Sequence, residues 1–138
     1  CQCTVPDADI IWAWNELLTG IPDAKKEALL ALRRSGHRLF LLSNTNFMHW
    51  DKCAADFFPY RDSEGHTYTA THFFEKIFLS CAMHLAKPDP AIFTEALRQA
   101  GIKAEDTLFI DDREDNCQAA QSVGITALHD PEGEMWYI

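Results

Sequence analysis

The sequence lacks the features that mark membrane-spanning, secreted and nucleic-acid-binding proteins. Its 138 residues contain no apolar run of about 20 residues, the length that a transmembrane helix needs, and no signal-like amino terminus. No basic run is present, and the formal net charge is -9. Nucleic acids and anionic membranes both attract a basic face. We therefore expect a cytoplasmic protein without a nucleic-acid or membrane partner.

The cysteines are scattered along the chain and have no motif spacing. An odd number of five cysteines without a C-x-x-C pair fits neither a disulfide framework nor a zinc ribbon. Cys1 and Cys3 offer two soft metal ligands, but no matching cysteine or histidine pair follows at zinc-finger spacing. We therefore expect reduced thiols.

What the sequence does contain is a regular alternation of helical and short apolar segments. Apolar residues at helical spacing predict helices over 10–18, 23–35, 46–58, 90–100 and 113–123. Uninterrupted apolar runs predict strands at 39–42, 77–79, 107–110 and 126–128. The polar stretch 59–71 predicts a loop or a small insertion. This alternation predicts one α/β domain with a doubly wound, mostly parallel sheet.

Two adjacent carboxylates, Asp111 and Asp112, end the third predicted strand and are followed by Asn116. Two like charges 4 Å apart near a protein surface repel each other by about 4 kcal/mol. A divalent cation relieves that repulsion, and Mg²⁺ typically takes one or two carboxylates together with waters and a substrate phosphate. The alternative is a polar turn that opens the next helix, where acidic residues favour the positive end of the helix dipole.

Polar residues follow two other predicted strands. Ser43 and Asn44 follow the first strand, and the segment after the second strand leads to Lys87. In a parallel sheet, ligands bind outside the carboxyl ends of the strands. A hydroxyl and free backbone amides at such a turn hold phosphate oxygens, and a lysine adds positive charge for a phosphoryl group. The pattern favours the metal interpretation of the acidic pair and predicts a small phosphorylated substrate.

At these positions the chain resembles a known family. The segments 39–44 (LFLLSN), 87–90 (KPDP) and 108–116 (LFIDDREDN) resemble the second, third and fourth motifs of the haloacid dehalogenase (HAD) superfamily in order and spacing. The residues around Trp14 and the Ile21-Pro22 junction look like the end of that family's helical cap and its return to the core. The resemblance indicates subclass I, phosphatase-like, with a Rossmann-like sheet. It implies a remnant of the cap at 1–20 and the α/β core at 21–138.

The resemblance implies roles on the phosphate side of the site. Ser43 would bind the transferring phosphoryl group through its hydroxyl, and Asn44 through its backbone. Lys87 would bind the phosphate and act in catalysis by neutralising the charge of the nucleophile and the substrate.

On the metal side the resemblance implies Mg²⁺ as the cofactor. Asp112 would be the direct ligand, Asp111 would support the metal or its waters, and Asn116 would orient the loop. Family chemistry is covalent: an aspartate attacks phosphorus, and water then hydrolyses the aspartyl-phosphate, with a second aspartate two positions on as acid and base.

The chain departs from the family at its first motif, an apolar strand ending in Asp-x-Asp. Asp7 and Asp9 have the right spacing, but the preceding residues CQCTVP are not an apolar strand, so we do not assign the nucleophile there. We expect a carboxyl-terminal portion that lacks the central first strand and most of the cap, and that is inactive alone.

In the family sheet the first strand lies between the strands ending at Ser43 and Ile110. Its loss would leave unpaired backbone groups, which are costly when buried. We therefore expect one of three arrangements: the two strands pair with each other, another polypeptide supplies the strand, or a second copy completes the sheet.

Other functions remain as alternatives. A 2-haloacid dehalogenase is less favoured because dehalogenation would not need the cation that the acidic pair indicates. A non-catalytic module of the same fold would bind without turnover. A phosphoacceptor receiver domain would carry its acidic pair after the first strand and its lysine near the end, the reverse of this order.

Overall fold

The computed structural model describes residues 20–133. The helices are α1 (Asp23–Arg34), α2 (Phe47–Asp56), α3 (Ala70–Phe73), α4 (Ser80–Met83), α5 (Pro90–Ala100) and α6 (Glu114–Ser122). The strands are β1 (Phe40–Ser43), β2 (Tyr60–Arg61), β3 (Thr67–Tyr68), β4 (Lys76–Leu79), β5 (Leu108–Asp111) and β6 (Thr126–His129). The helix expected at 10–18 and the Asp7-Ala-Asp9 segment lie outside the described residues, as does the expected cap remnant except for residue 20.

The strands form three two-stranded sheets, in which β1 pairs with β4, β2 with β3, and β5 with β6. Strands β5 and β6 run parallel, in a register that sets Leu108 opposite Thr126 and Asp111 opposite His129. The α/β class with parallel strands is therefore confirmed. Within residues 20–133, β1 and β5 belong to different sheets, so of the three expected arrangements the direct pairing of these two strands is wrong.

The longer helices begin and end where their terminal residues favour it. Asn46 caps α2, because its side chain accepts a hydrogen bond from the backbone N–H of His49 at 2.9 Å. Helix α5 starts with Pro90, is capped by the Asp89 side chain, and stops at Gly101, whose φ of 64° suits glycine. The helix predicted at 90–100 is present with the same bounds, and those predicted at 23–35, 46–58 and 113–123 are present with slightly shorter bounds.

The segment predicted as a loop or a small insertion at 59–71 contains regular structure. It forms an antiparallel hairpin of β2 and β3 and then enters α3. The Asp62 carboxylate organises the hairpin turn, because its Oδ1 accepts hydrogen bonds from the N–H groups of Glu64 and His66 at 3.0 and 2.9 Å. Strands of two residues are too short to show a period-two pattern, and for that reason the polar composition pointed to a loop.

The described chain divides into two compact units. The first comprises residues 20–41 and 45–77, and its core is an aromatic cluster that includes Phe58, Phe73 and Phe74. The second comprises residues 42–44 and 78–133, and its core is formed by residues of α5, α6 and the strand region around Ile125. All of the predicted site residues belong to the second unit.

The described residues bear on two expectations from the sequence, the oxidation state of the cysteines and the lack of a membrane-spanning segment. Cys53, Cys81 and Cys117 are buried free thiols, in line with the expectation of reduced cysteines. Among the described residues, no helix combines the length and the apolarity needed to cross a membrane.

Candidate active site

Three segments of the second unit bring the candidate residues together. Ser43 is the last residue of β1, and Asp111 is the last residue of β5. Lys87 lies in the turn between α4 and α5, where the backbone N–H of Asp89 bonds to the carbonyl of Ala86 at 2.9 Å. The predicted convergence of polar residues at strand ends is therefore present for β1 and β5.

A nearly buried ion pair lies at the centre of this group. The Lys87 Nζ is 2.6 Å from Asp111 Oδ2, and the two side chains are only 10% and 6% exposed. The ammonium also lies 5.5 Å from the centroid of the Phe109 ring, within range of a cation–π interaction. Buried ion pairs offset their desolvation only when their remaining polar atoms are also satisfied. The position of the ammonium is thus fixed by a carboxylate and an aromatic face together.

The second oxygen of Asp111 is held by α6. Its Oδ1 accepts hydrogen bonds from the backbone N–H of Arg113 and from Asn116 Nδ2, both at 2.9 Å. Burial by itself raises the pKa of Asp111, but attraction to Lys87 and these hydrogen bonds outweigh it and hold the pKa below its ordinary value. Asp111 is therefore ionised at neutral pH.

Asp112 has the opposite electrostatic environment. Burial raises the pKa of its carboxyl, and the neighbouring Asp111 raises it further through a hydrogen bond and through charge repulsion. The residue as a whole is exposed. The pair therefore combines one satisfied carboxylate with one whose negative charge is poorly compensated, which is the electrostatic condition that a bound cation would relieve.

Asn116 provides a test of whether a cation fits. Asn116 is only 3% exposed, and its Nδ2 is engaged with Asp111. Its Oδ1 is buried and has no hydrogen-bond partner within residues 20–133. An unpartnered buried oxygen is costly and calls for a ligand or an ordered water. Carboxylate and amide oxygens are the donors that hard divalent cations prefer, so the residue types at this position fit Mg²⁺.

The side chain of Asn44 has a partner that the sequence did not indicate. Its Nδ2 donates to the backbone carbonyl of Lys87 at 2.8 Å, and its Oδ1 accepts from the backbone N–H of Lys87 at 2.9 Å. Ser43 precedes it and is half-buried at the end of β1. Asn44 thus contacts Lys87 directly, and Ser43 lies beside this contact because it is the preceding residue in the chain.

His129, the last residue of β6, and Asp130, which follows it, also belong to this region and were missed. His129 Nε2 is 3.0 Å from the carbonyl oxygen of Asp112, and the backbone N–H of Asp130 donates to the carbonyl of Asp111 at 2.9 Å. Since β6 is the parallel neighbour of β5, its polar end must lie beside the acidic pair. The sequence signal was therefore available in the two polar residues that follow Leu128.

Comparison with known proteins identifies the family. The family profile described as haloacid dehalogenase-like hydrolase matches residues 5–124. This chain belongs to the haloacid dehalogenase-like hydrolases. The HAD motifs inferred at 39–44, 87–90 and 108–116 all fall inside the matched range.

Named relatives of this HAD-like chain include two phosphatases. The D-ribitol-5-phosphate phosphatase of Bacteroides thetaiotaomicron is 30% identical over 126 residues, which are 90% of this chain and 57% of that protein. A sesquiterpene phosphatase of Aspergillus oryzae is 31% identical over 131 residues, 93% of this chain and 61% of that protein. The chain thus spans about three fifths of the length of these relatives.

Solved structures show the same fold. A HAD-family enzyme from Bacteroides thetaiotaomicron, determined in complex with magnesium and inorganic phosphate, is 42% identical with a TM-score of 0.79, covering 96% of this chain and 64% of that one. A HAD-like hydrolase from Porphyromonas gingivalis is 37% identical with a TM-score of 0.70, covering 84% of this chain and 54% of that one. The HAD-like α/β fold expected from the sequence is confirmed.

Proposed function

We propose that this chain forms most of the core of a magnesium-dependent phosphatase that hydrolyses a small phosphorylated metabolite. The observation that carries the proposal is the Lys87–Asp111 pair at 2.6 Å, with the poorly compensated Asp112 carboxylate directly beside it. A fixed ammonium next to paired carboxylates suits a phosphate ester and a divalent cation at the same time. The relatives named as phosphatases, and the similar enzyme solved with magnesium and phosphate, support the same assignment.

The phosphate would be held on the β1 side of the site. The Ser43 hydroxyl and the backbone N–H of Asn44 would donate hydrogen bonds to phosphoryl oxygens. Lys87 would add positive charge, both for these oxygens and for the attacking carboxylate. Its ammonium needs no reorganisation to do so, because Asp111 and Phe109 already hold it in place.

The metal would be held on the β5 side. Asp112 would be its direct ligand, Asp111 would support it or its waters, and Asn116 would orient the loop through its bond to Asp111. When bound, Mg²⁺ would neutralise charge on the phosphoryl oxygens. His129 would steady the backbone at Asp112, because its ring nitrogen bonds to the Asp112 carbonyl.

The covalent step would use an aspartate that we do not assign within these 138 residues. In family chemistry an aspartate oxygen attacks phosphorus, the bond to the substrate oxygen breaks, and a second aspartate protonates the leaving oxygen. Water then hydrolyses the aspartyl-phosphate. We place the cap remnant at 1–20 and the core at 21–138, and infer that residues 1–138 alone do not turn over substrate.

The decisive experiment measures p-nitrophenyl phosphate hydrolysis by the full-length protein with and without Mg²⁺. Hydrolysis should require Mg²⁺, and Asp112→Ala should abolish it because the direct ligand is lost. Asp56→Ala is the matched control, since Asp56 lies in α2 and pairs with the exposed Lys52 side chain instead. Full activity of Asp112→Ala would refute the ligand assignment, and Mg²⁺-independent turnover would refute the metal.

We further place this activity in the cytoplasm. The three buried thiols at Cys53, Cys81 and Cys117 support this, because free cysteines persist in a reducing compartment.

A further inference from the structure

The Asn44 side chain forms a two-point contact with the backbone of a single residue. Its amide donates to the carbonyl of Lys87 at 2.8 Å and accepts from the N–H of Lys87 at 2.9 Å. The next residue is Pro88, which has no N–H to offer. The backbone at Lys87 is thus held at both of its polar groups by one planar side chain.

Only an amide side chain of this length can both donate to the Lys87 carbonyl and accept from the Lys87 N–H. A carboxylate accepts but cannot donate, so aspartate would place an oxygen against the Lys87 carbonyl. Alanine or serine cannot span both groups. Two hydrogen bonds through a rigid amide fix the orientation as well as the distance of the backbone they hold.

Through Lys87, the Asn44 side chain is linked to the Lys87–Asp111 ion pair. Lys87 Nζ reaches Asp111 Oδ2 at 2.6 Å, and Asp111 Oδ1 reaches Asn116 Nδ2 at 2.9 Å. Asn44 therefore fixes the backbone of Lys87, while Asp111 and Phe109 fix its ammonium group. The end of β1 is linked in this way to the first turn of α6.

We infer that Asn44 is a positioning residue for Lys87, whose side chain sets where the lysine ammonium meets the phosphoryl group. This role deepens the proposed function and rests on it. It is separate from the phosphate contact assigned to the Asn44 backbone, because the side-chain amide is committed to Lys87. Since Asn44 is exposed, water can replace its bonds when it is removed, and the variant should remain folded.

A double-mutant cycle on the full-length protein tests the inference. Lys87→Ala should lower kcat/KM for p-nitrophenyl phosphate by about 10²–10³-fold, the usual loss for one preorganised electrostatic contact. Asn44→Ala should lower kcat by about tenfold and leave KM nearly unchanged, because small misplacements act mainly on the transition state. In the Lys87→Ala background, Asn44→Ala should have almost no further effect, since no ammonium is left to position.

Asn46→Ala is the matched control. Asn46 is also an asparagine whose side chain bonds to backbone, but it caps α2. Its effect should be the same factor in both backgrounds. The inference is overturned if Asn44→Ala also costs the same factor in both, because Asn44 would then act independently of Lys87.

A second readout does not depend on turnover. In Asn44→Ala, the Lys87 amide loses its acceptor and should exchange its hydrogen at least about tenfold faster by NMR. An unchanged exchange rate would overturn the contact itself.

A wild-type protein without turnover would contradict the proposed function. In that case the same four proteins are compared by their affinity for inorganic phosphate. A smaller effect of Asn44→Ala in the Lys87→Ala background than in the wild type would uphold the positioning role. Equal effects in both backgrounds, or no phosphate binding by the wild type, would overturn it.

Discussion

At the scale of single residues, the Lys87–Asp111 pair has the largest energetic consequence. Both side chains are almost fully removed from water. Loss of one partner leaves the other charge buried and uncompensated, which typically costs about 3–5 kcal/mol, whereas loss of both charges costs much less. The pair is therefore a structural requirement of the site as well as a functional one.

We predict that Lys87→Met lowers the free energy of unfolding by about 3 kcal/mol in metal-free buffer at pH 7, because Asp111 loses its counter-charge. Urea denaturation measures this. The double variant Lys87→Met with Asp111→Asn should be more stable than Lys87→Met alone. Lys52→Met is the control: its ion pair with Asp56 is 42% and 50% exposed and should contribute under about 1 kcal/mol. Equal losses for the two lysine variants would contradict the prediction.

The sequence indicated the residue types of the site but not all of their contacts. Polar residues at predicted strand ends pointed to Ser43, Asn44, Asp111 and Asp112, and the segment after the second strand led to Lys87. The two-point contact of Asn44 with Lys87 joins positions 43 residues apart, and nothing in either local segment encodes it. The functions assigned to these residues remain predictions.

At the scale of elements, helix boundaries were predictable because caps and stops are local. Asn46, Pro90 and Gly101 each act within one turn of the helix they delimit. The β2–β3 hairpin was not predictable in this way. Its stability depends on Asp62, whose carboxylate also accepts a hydrogen bond from the Tyr68 hydroxyl at 3.0 Å, and on stacking of the Tyr60 and Tyr68 rings. These are tertiary contacts within a stretch of polar composition.

The hairpin is also joined to α1 by one titratable contact. The Tyr60 hydroxyl donates to Glu27 Oε1 at 2.7 Å. This bond favours the neutral phenol, and with burial and further carboxylates it raises the pKa of Tyr60 to about 12. The folded-state pKa is raised above the unfolded value. The contact therefore stabilises the fold below about pH 10 and is lost as the pH rises through 10 toward 12.

We predict that Glu27→Gln returns the pKa of Tyr60 toward 10. Ultraviolet absorbance of tyrosinate measures this, and at pH 11 the variant should show more ionised tyrosine than the wild type. Tyr60→Phe identifies the transition, because it removes only that residue from the titration. Identical curves for wild type and Glu27→Gln would show that Glu27 does not shift the pKa of Tyr60.

At the scale of the whole molecule, alternation of helices and strands was sufficient to predict the α/β class, but pairing of the strands was not readable from it. Within residues 20–133, β1 and β5 lie in different two-stranded sheets. Their ends are connected by the side chains of Asn44, Lys87 and Asp111 instead of a backbone ladder. Among the described residues, β1 pairs only with β4 and β5 only with β6.

This arrangement yields a prediction about activity. Residues 1–138 expressed alone should show no Mg²⁺-dependent hydrolysis of p-nitrophenyl phosphate, because the residues proposed to bind phosphate and metal include no nucleophile. A polypeptide that adds an apolar strand ending in Asp-x-Asp should restore turnover, since it would supply the first motif of the family and bring its first aspartate to Lys87. The same strand ending in Asn-x-Asp is the control and should restore folding without activity. Turnover by residues 1–138 alone would show that a carboxylate within this chain serves as the nucleophile, and Asp7→Asn would then identify or exclude the Asp7-Ala-Asp9 segment.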